Sequence, residues 1–185
     1  MADSPFSLRQ RRALVIGGGS GIGRAIALGL ADAGADVHVA GRRADKLEES
    51  CAAIRGRGVA ATAFAAHDAD SAALDALVAR VEASVGVPDV LVNAQGVMTL
   101  GPAEAYDEAD FDRIMGTNVK SVWFACTRFG KGMLARGSGA VINIASRLRS
   151  VRKKPGAMAL TRTPRDAHSA ASVSVSASTP CLLTQ

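Results

Sequence analysis

The segment spanning residues 13–27 constrains the fold of this chain more than any other part of its sequence. It opens with the apolar run Ala-Leu-Val-Ile, which is typical of a buried strand. It closes with apolar residues at helical spacing, which predict a helix packed on a sheet. Between the two lies a G-x-x-x-G-x-G pattern formed by Gly17, Gly21 and Gly23.

These glycines predict the chemistry of the turn. Without side chains, the turn can be tight, a phosphate can approach the backbone, and the helix can pack close to the strand. The free N–H groups at the start of the helix, together with its dipole, favour an anion. The pattern therefore predicts a site for a dinucleotide pyrophosphate, and the alternative is a tight strand-to-helix turn with no ligand.

The remaining chain alternates strands with helices. Further strands are predicted at residues 36–40, 59–66, 88–92 and 140–145, and helices around residue 51 and at 72–85, 107–118 and 119–135. Right-handed crossovers then give an α/β fold with a doubly wound parallel sheet of order 3-2-1-4-5. Its three layers are α/β/α, and a ligand is expected at the carboxyl edge of the strands.

The charge divides the chain into two predicted regions. The net charge of +5 raises the question of nucleic acid. Residues 1–146, however, hold 15 basic against 16 acidic side chains, whereas residues 147–185 hold 7 against 1. We therefore predict a domain at 1–146 and a basic, Ser/Thr/Ala-rich, disordered tail at 147–185. A solvated tail without a partner is favoured over nucleic-acid binding.

The cysteines and the hydropathy bear on location. Cys51, Cys126 and Cys181 are odd in number and widely spaced, which predicts neither a disulfide framework nor a metal site. The sequence shows no apolar run long enough for a membrane span, and residues 1–12 lack the apolar core of a secretory signal. A cytoplasmic protein without membrane contact is expected.

Four motifs in order resemble the short-chain dehydrogenase/reductase family. The first turn resembles T-G-x-x-x-G-x-G, with Ile16 at the Thr position, so we expect a looser turn. Residues 93–96, Asn-Ala-Gln-Gly, resemble the family's Asn-Asn-Ala-Gly. Residues 117–121 resemble the segment with the active-site Asn, and residues 141–146 resemble the strand that ends in the catalytic Ser. The resemblance covers residues 6–146 and implies a Rossmann-type fold, incomplete at its C-terminal end.

The turn chemistry and this resemblance together give a set of cofactor-binding residues. They are Gly17, Gly19, Ser20, Gly21, Ile22, Gly23, Arg42, Arg43, Asp68, Ala69, Asn93, Ala94 and Gly96. At the end of the second strand, Gly41 supplies no carboxylate for a ribose hydroxyl, whereas Arg42 supplies a cation for a 2′-phosphate. NADP(H) is therefore favoured over NAD(H), the alternative being that both arginines are merely solvated.

The resemblance also implies hydride transfer between a nicotinamide and a carbonyl or alcohol carbon of a small molecule. It assigns catalytic roles to Asn118 and Ser146, although spacing alone equally allows Asn118 to cap a helix junction. The family's Tyr and Lys should follow Ser146, but the only Tyr of this chain is Tyr106. One hypothesis is a shifted reading frame, since permitted codons for residues 158–165 can encode Tyr-x-x-x-Lys in another frame.

The expected function is therefore that of an NAD(P)-dependent oxidoreductase with impaired turnover. The alternatives are a non-catalytic nucleotide-binding protein or an inactive fragment. The sequence resembles those of sugar-acid (gluconate-type) and 3-oxoacyl reductases. Family members are usually dimers or tetramers, and such assembly is doubtful here because the helix that often packs between subunits would be absent.

Overall fold

The structure is a computed structural model that describes residues 6–66 and 71–146. Strands and helices alternate along it. The strands are β1 (Arg12–Ile16), β2 (Asp36–Gly41), β3 (Ala63–Ala65), β4 (Val90–Asn93) and β5 (Ala140–Asn143). The helices are α1 (Gly21–Asp32), α2 (Ala44–Arg55), α3 (Ser71–Val85), α4 (Glu108–Met115) and α5 (Ser121–Arg136). A short 3₁₀ helix covers Ala103–Ala105, and a π-helical turn, Gly116–Lys120, joins α4 to α5.

The five strands form one parallel sheet of order β3-β2-β1-β4-β5, which confirms the predicted topology. The register aligns Ile16 with Ala40 on one side and with Asn93 on the other. The residues that follow these three positions therefore emerge side by side at the carboxyl edge. This alignment brings the first glycine turn between the ends of β2 and β4.

The central strand β1 is covered on both faces of the sheet, since every residue from Ala13 to Ile16 is completely buried. On one face, Val15 and Val39 pack against α1 and α2 through side chains such as Leu47. On the other face, Leu14 packs against α3 and α5 in a cluster that contains Phe129. Such continuous burial along a strand is expected in a parallel sheet with helices on both sides.

Two elements differ from the sequence prediction. The third strand is assigned only to Ala63–Ala65, although Ala60 and Thr62 already accept hydrogen bonds from β2 backbone N–H groups at 2.9 and 3.0 Å. The two helices predicted over residues 107–135 are joined by a π-helical turn, in which the N–H of Ser121 donates to the carbonyl of Gly116. Hydrophobic spacing does not distinguish this wider turn from an α-helical one.

β5 lies at the edge of the described sheet and is exposed along its whole length. Within residues 6–66 and 71–146, no helix is long and apolar enough to cross a membrane. The predictions for Asp68, Ala69 and the tail at 147–185 fall outside the described residues.

Candidate cofactor-binding site

The glycine turn after β1 leaves no room for a side chain at Gly17 or at Gly23. Gly17 has a φ of +84°, and a Cβ on it would lie 2.7 Å from the backbone carbon of Ala94. A Cβ on Gly23 would lie 2.3 Å from the carbonyl oxygen of Gly17. The turn is tied to β2, since the N–H of Gly17 donates to the carbonyl of Ala40 at 2.8 Å. The first turn of α1 is therefore packed directly on the loop.

The N-terminus of α1 is open toward this loop. Ser20 precedes the helix in an extended conformation, and its hydroxyl does not cap the helix. That hydroxyl instead accepts a hydrogen bond from Nη2 of Arg43 at 2.7 Å. The first turn of α1 also carries no acidic residue. An anion from outside the chain would thus meet the helix dipole without competition from an acidic side chain in that turn.

A cleft of about 290 Å³ opens above the turn. It runs along the carboxyl edge from the end of β2, across the turn, to the loop after β4. Its lining comprises Gly17, Gly19, Ser20, Ile22, Gly23, Gly41, Arg42, Arg43, Lys46, Leu47, Ala94, Gln95, Gly96 and Thr117. A nucleotide spanning the turn would therefore contact both ends of the cleft.

The end of the cleft beside β2 is positively charged. Arg42, Arg43 and Lys46 line it, and no carboxylate is among the lining residues of the described chain. The charge of Lys46 is partly balanced by Glu49 at 2.6 Å, whereas Arg42 has no hydrogen-bond or ion-pair partner within residues 6–66 and 71–146. This end suits a phosphate group.

Most of the cofactor residues predicted from sequence line this cleft. They are Gly17, Gly19, Ser20, Ile22, Gly23, Arg42, Arg43, Ala94 and Gly96. Gly21 lies in the turn without lining the cleft, and its φ is +53°. Asn93 lies beneath the cleft at 1% exposure. Asp68 and Ala69 are outside the described residues.

The Asn93 side chain braces the sheet. Its Nδ2 donates to Oδ1 of Asn143 on β5 at 2.8 Å and to the sulfur of Cys126 on α5 at 3.3 Å. Its buried Oδ1 accepts no hydrogen bond within the described chain. Asn93 therefore joins β4 to β5 and α5, and its side chain is not part of the cleft lining.

Asn118 lies in the π-helical turn and is bound to the loop after β4. Its Oδ1 accepts from the N–H of Val97, and its Nδ2 donates to the carbonyl of Val97, both at 2.8 Å. Ser146 is exposed and follows β5, so it lies at the same carboxyl edge of the sheet. The fold thus places both predicted catalytic residues at the edge that carries the cleft.

Sequence reasoning missed several cleft residues. Lys46 and Leu47 lie in the first turn of α2, and the helical spacing from the Arg42-Arg43 pair was a usable signal for Lys46. Thr117 precedes Asn118 and is 6% exposed. Gln95 stands where the family's motif has Ala, so the motif gives no signal for this side chain. In the part of the chain that the structure describes, no cluster of side chains could hold a metal ion.

Known proteins give a consistent match. The family model for short chain dehydrogenases matches residues 11–183. The chain is 35% identical over 158 residues to gluconate 5-dehydrogenase of Gluconobacter oxydans, covering 85% of this chain and 61% of that protein. It is 38% identical to D-threitol dehydrogenase of Mycolicibacterium smegmatis, covering 80% of this chain and 57% of that protein.

Solved structures agree with the sequence matches. A gluconate 5-dehydrogenase from Burkholderia cenocepacia, crystallised with NADP and tartrate, is 36% identical with a TM-score of 0.73. The alignment covers 79% of this chain and 57% of that structure. The chain thus spans about six-tenths of the length of these relatives. The matched residues, the strand order and the glycine turn show that the chain belongs to the short chain dehydrogenase family.

Proposed function

We propose that the cleft binds NADP(H), with the pyrophosphate on the glycine turn at the N-terminus of α1. The observation that carries this proposal is the contact between Gly23 and Gly17, where a Cβ would lie 2.3 Å from a backbone oxygen. This close packing places the start of α1 at the cleft, which Ser20, Ile22 and Gly23 line. A pyrophosphate fits this arrangement because its oxygens accept hydrogen bonds from backbone N–H groups and can approach a turn that carries no side chains.

The preference for NADP(H) over NAD(H) rests on the basic end of the cleft. Arg42 has no carboxylate partner in the described chain, and Arg43 is held over the helix start by Ser20. A 2′-phosphate there would gain charge-assisted hydrogen bonds. The structure with NADP from Burkholderia cenocepacia, which is 36% identical, supports this choice.

The reaction that we propose is that of an oxidoreductase on a small carbonyl or alcohol substrate. Bound NADP(H) supplies or accepts the hydride. The substrate side of the site would be formed by Asn118 and Ser146, where Ser146 donates a hydrogen bond that orients the carbonyl and Asn118 holds the π-helical turn against Val97. The similarity to gluconate 5-dehydrogenase and to D-threitol dehydrogenase supports a sugar acid or a polyol as the substrate class.

Turnover by this chain is proposed to be low, because its only Tyr is Tyr106. The hydroxyl of Tyr106 donates to the backbone carbonyl of Thr99, so this phenol is already engaged in the loop before α4. A general acid for the carbonyl oxygen would have to reach the site from elsewhere. A cytoplasmic location and a shifted reading frame after residue 146 stay predictions.

Calorimetric titration of the full chain with NADPH, NADH and 2′,5′-ADP tests the cofactor proposal. We expect NADPH and 2′,5′-ADP to bind and NADH to bind at least about tenfold more weakly, because two charge-assisted contacts are lost. Absence of binding by all three nucleotides would refute the proposal. Oxidation of NADPH with 5-ketogluconate, measured by absorbance, tests turnover: a rate typical of enzymes, about 1 s⁻¹ or more, would contradict the expected impairment.

A further inference from the structure

Gln95 is a cleft residue with an unusual hydrogen-bond arrangement. It follows Ala94 in the loop after β4 and lines the cleft on the opposite side of the glycine turn from Arg42. Its Nε2 donates to Oγ of Ser121 at 3.2 Å. Its Oε1 is buried and has no donor among the described residues. The side chain is therefore anchored through its NH₂ group alone.

The orientation of this amide is fixed by its partner. The hydroxyl of Ser121 donates to the carbonyl of Thr117 at 2.6 Å, so its hydrogen is already committed. Oγ of Ser121 can then only accept from Gln95, and a flipped amide would place two acceptors against each other. Ser121 is 2% exposed, so no solvent competes for this contact. The link from Gln95 through Ser121 to Thr117 is thus directional.

This link ends in the π-helical turn. Thr117 belongs to that turn and itself lines the cleft, and the next residue, Asn118, binds both backbone groups of Val97. Two side-chain links therefore join the loop after β4 to the π-helical turn. One runs from Gln95 through Ser121 to Thr117, and the other joins Asn118 to Val97. The loop and the turn form a single wall of the cleft.

We infer that Gln95 is a positioning residue for the nicotinamide half of the bound dinucleotide, acting through Ser121 on the π-helical turn. The inference rests on the proposed binding of NADP(H). With the 2′-phosphate at Arg42 beside β2 and the pyrophosphate on the turn after β1, the second half of the molecule extends over the loop after β4. That loop is held in place by Gln95.

Gln95→Met tests the inference because it keeps the length of the side chain and removes the amide. We expect NADPH to bind about three- to tenfold more weakly, as for one lost hydrogen bond, and 2′,5′-ADP, which lacks the nicotinamide half, to bind unchanged. Amide hydrogen exchange in residues 116–121 should be about threefold faster or more, because the turn loses an anchor. The melting temperature should stay within about 2 °C, since the variant also removes an unsatisfied buried acceptor.

The path through Ser121 is tested by a double-mutant cycle. Ser121→Ala should weaken NADPH binding at least as much as Gln95→Met, because it also removes the hydrogen bond to Thr117. The double variant should bind NADPH no more weakly than Ser121→Ala alone. Thr127→Ala is the matched control, because the hydroxyl of Thr127 also donates to a carbonyl of its own helix, at Phe124, away from the cleft. This control should leave the affinity for both nucleotides unchanged.

The outcomes separate the two proposals. Three results would each overturn the role of Gln95 while leaving cofactor binding intact. They are an equal loss of affinity for NADPH and 2′,5′-ADP, additive losses of NADPH affinity in the double-mutant cycle, and wild-type affinity of Gln95→Met. If the wild-type chain bound neither nucleotide, both the proposed function and this inference would fail. Selective, non-additive loss of NADPH affinity is the expected result.

Discussion

Replacement of Gly23 by Ala gives the sharpest test of how the turn and the first helix are built. The new Cβ would lie 2.3 Å from the carbonyl oxygen of Gly17 and 2.8 Å from its carbonyl carbon. Ordinary non-bonded contacts require more than 3 Å, so the helix start and the turn must separate by about 1 Å. Both sides of this contact are backbone, and no flexible side chain can yield.

The magnitude follows by comparison with Gly29 in the same helix. An Ala at Gly29 meets nothing within 4 Å, so Gly29→Ala should stabilise the chain by about 0.5–1 kcal/mol through helix propensity alone. Gly23→Ala gains the same propensity but carries an overpacking cost of about 1–3 kcal/mol. The free energy of unfolding should therefore differ by about 1–3 kcal/mol between the two variants.

Urea denaturation followed by circular dichroism measures this difference, and NADPH titration measures its effect on the cleft. We expect Gly23→Ala to bind NADPH about tenfold more weakly, because the helix N–H groups move away from the pyrophosphate. Gly29→Ala should bind as the wild type does. Equal stability of the two variants would show that the turn is not packed on the helix as described.

Three further predictions concern charge and pH. Arg42→Ala should weaken NADPH binding about five- to twentyfold and change the affinity for NADH by no more than about twofold, as measured by calorimetry, because only the contact to the 2′-phosphate is lost. An equal loss of affinity for NADPH and NADH would place the 2′-phosphate elsewhere. Burial holds the pKa of His38 below its ordinary value, against a smaller raising effect of Asp36, with Arg12 lowering it further. The folded chain therefore resists protonation of His38, and the free energy of unfolding should decrease as the pH is lowered below about 6.5. His38→Phe should flatten this part of a plot of stability against pH, and an unchanged slope would show that His38 is not the group responsible. Asp89 accepts from the backbone N–H of Arg12 at 2.8 Å and its side chain is 13% exposed, so Asp89→Ala should lower the free energy of unfolding by about 1–3 kcal/mol in urea titrations; a loss below about 0.5 kcal/mol would contradict this role.

The fold was predictable because its signals are local. The apolar run at residues 13–16 is long enough to specify a buried strand, and the glycine turn between β1 and α1 specifies a strand-to-helix connection. The crossover rule then limits the strand order to few alternatives. The sheet order and both layers of helices follow from these features.

The site was less predictable because its links are not local. The hydrogen bond between Gln95 and Ser121 joins residues 26 positions apart, and the side chain of Asn118 reaches back 21 positions to Val97. The π-helical turn leaves no signature in hydrophobic spacing, since it adds one residue to a single turn. A motif identifies which residues approach the cleft, whereas pairings of this kind depend on the assembled sheet.

The contact between Gly17 and Gly23 has a consequence for how such sequences diverge. The two residues of the proposed phosphate site also let the start of α1 pack on the turn after β1, so selection for folding alone would preserve them. A descendant that had lost its chemistry would keep the glycine signature for as long as it kept its shape. The glycine pattern in a relative therefore indicates that the fold has been kept. Evidence that catalysis has been kept must come from residues that are not required for folding.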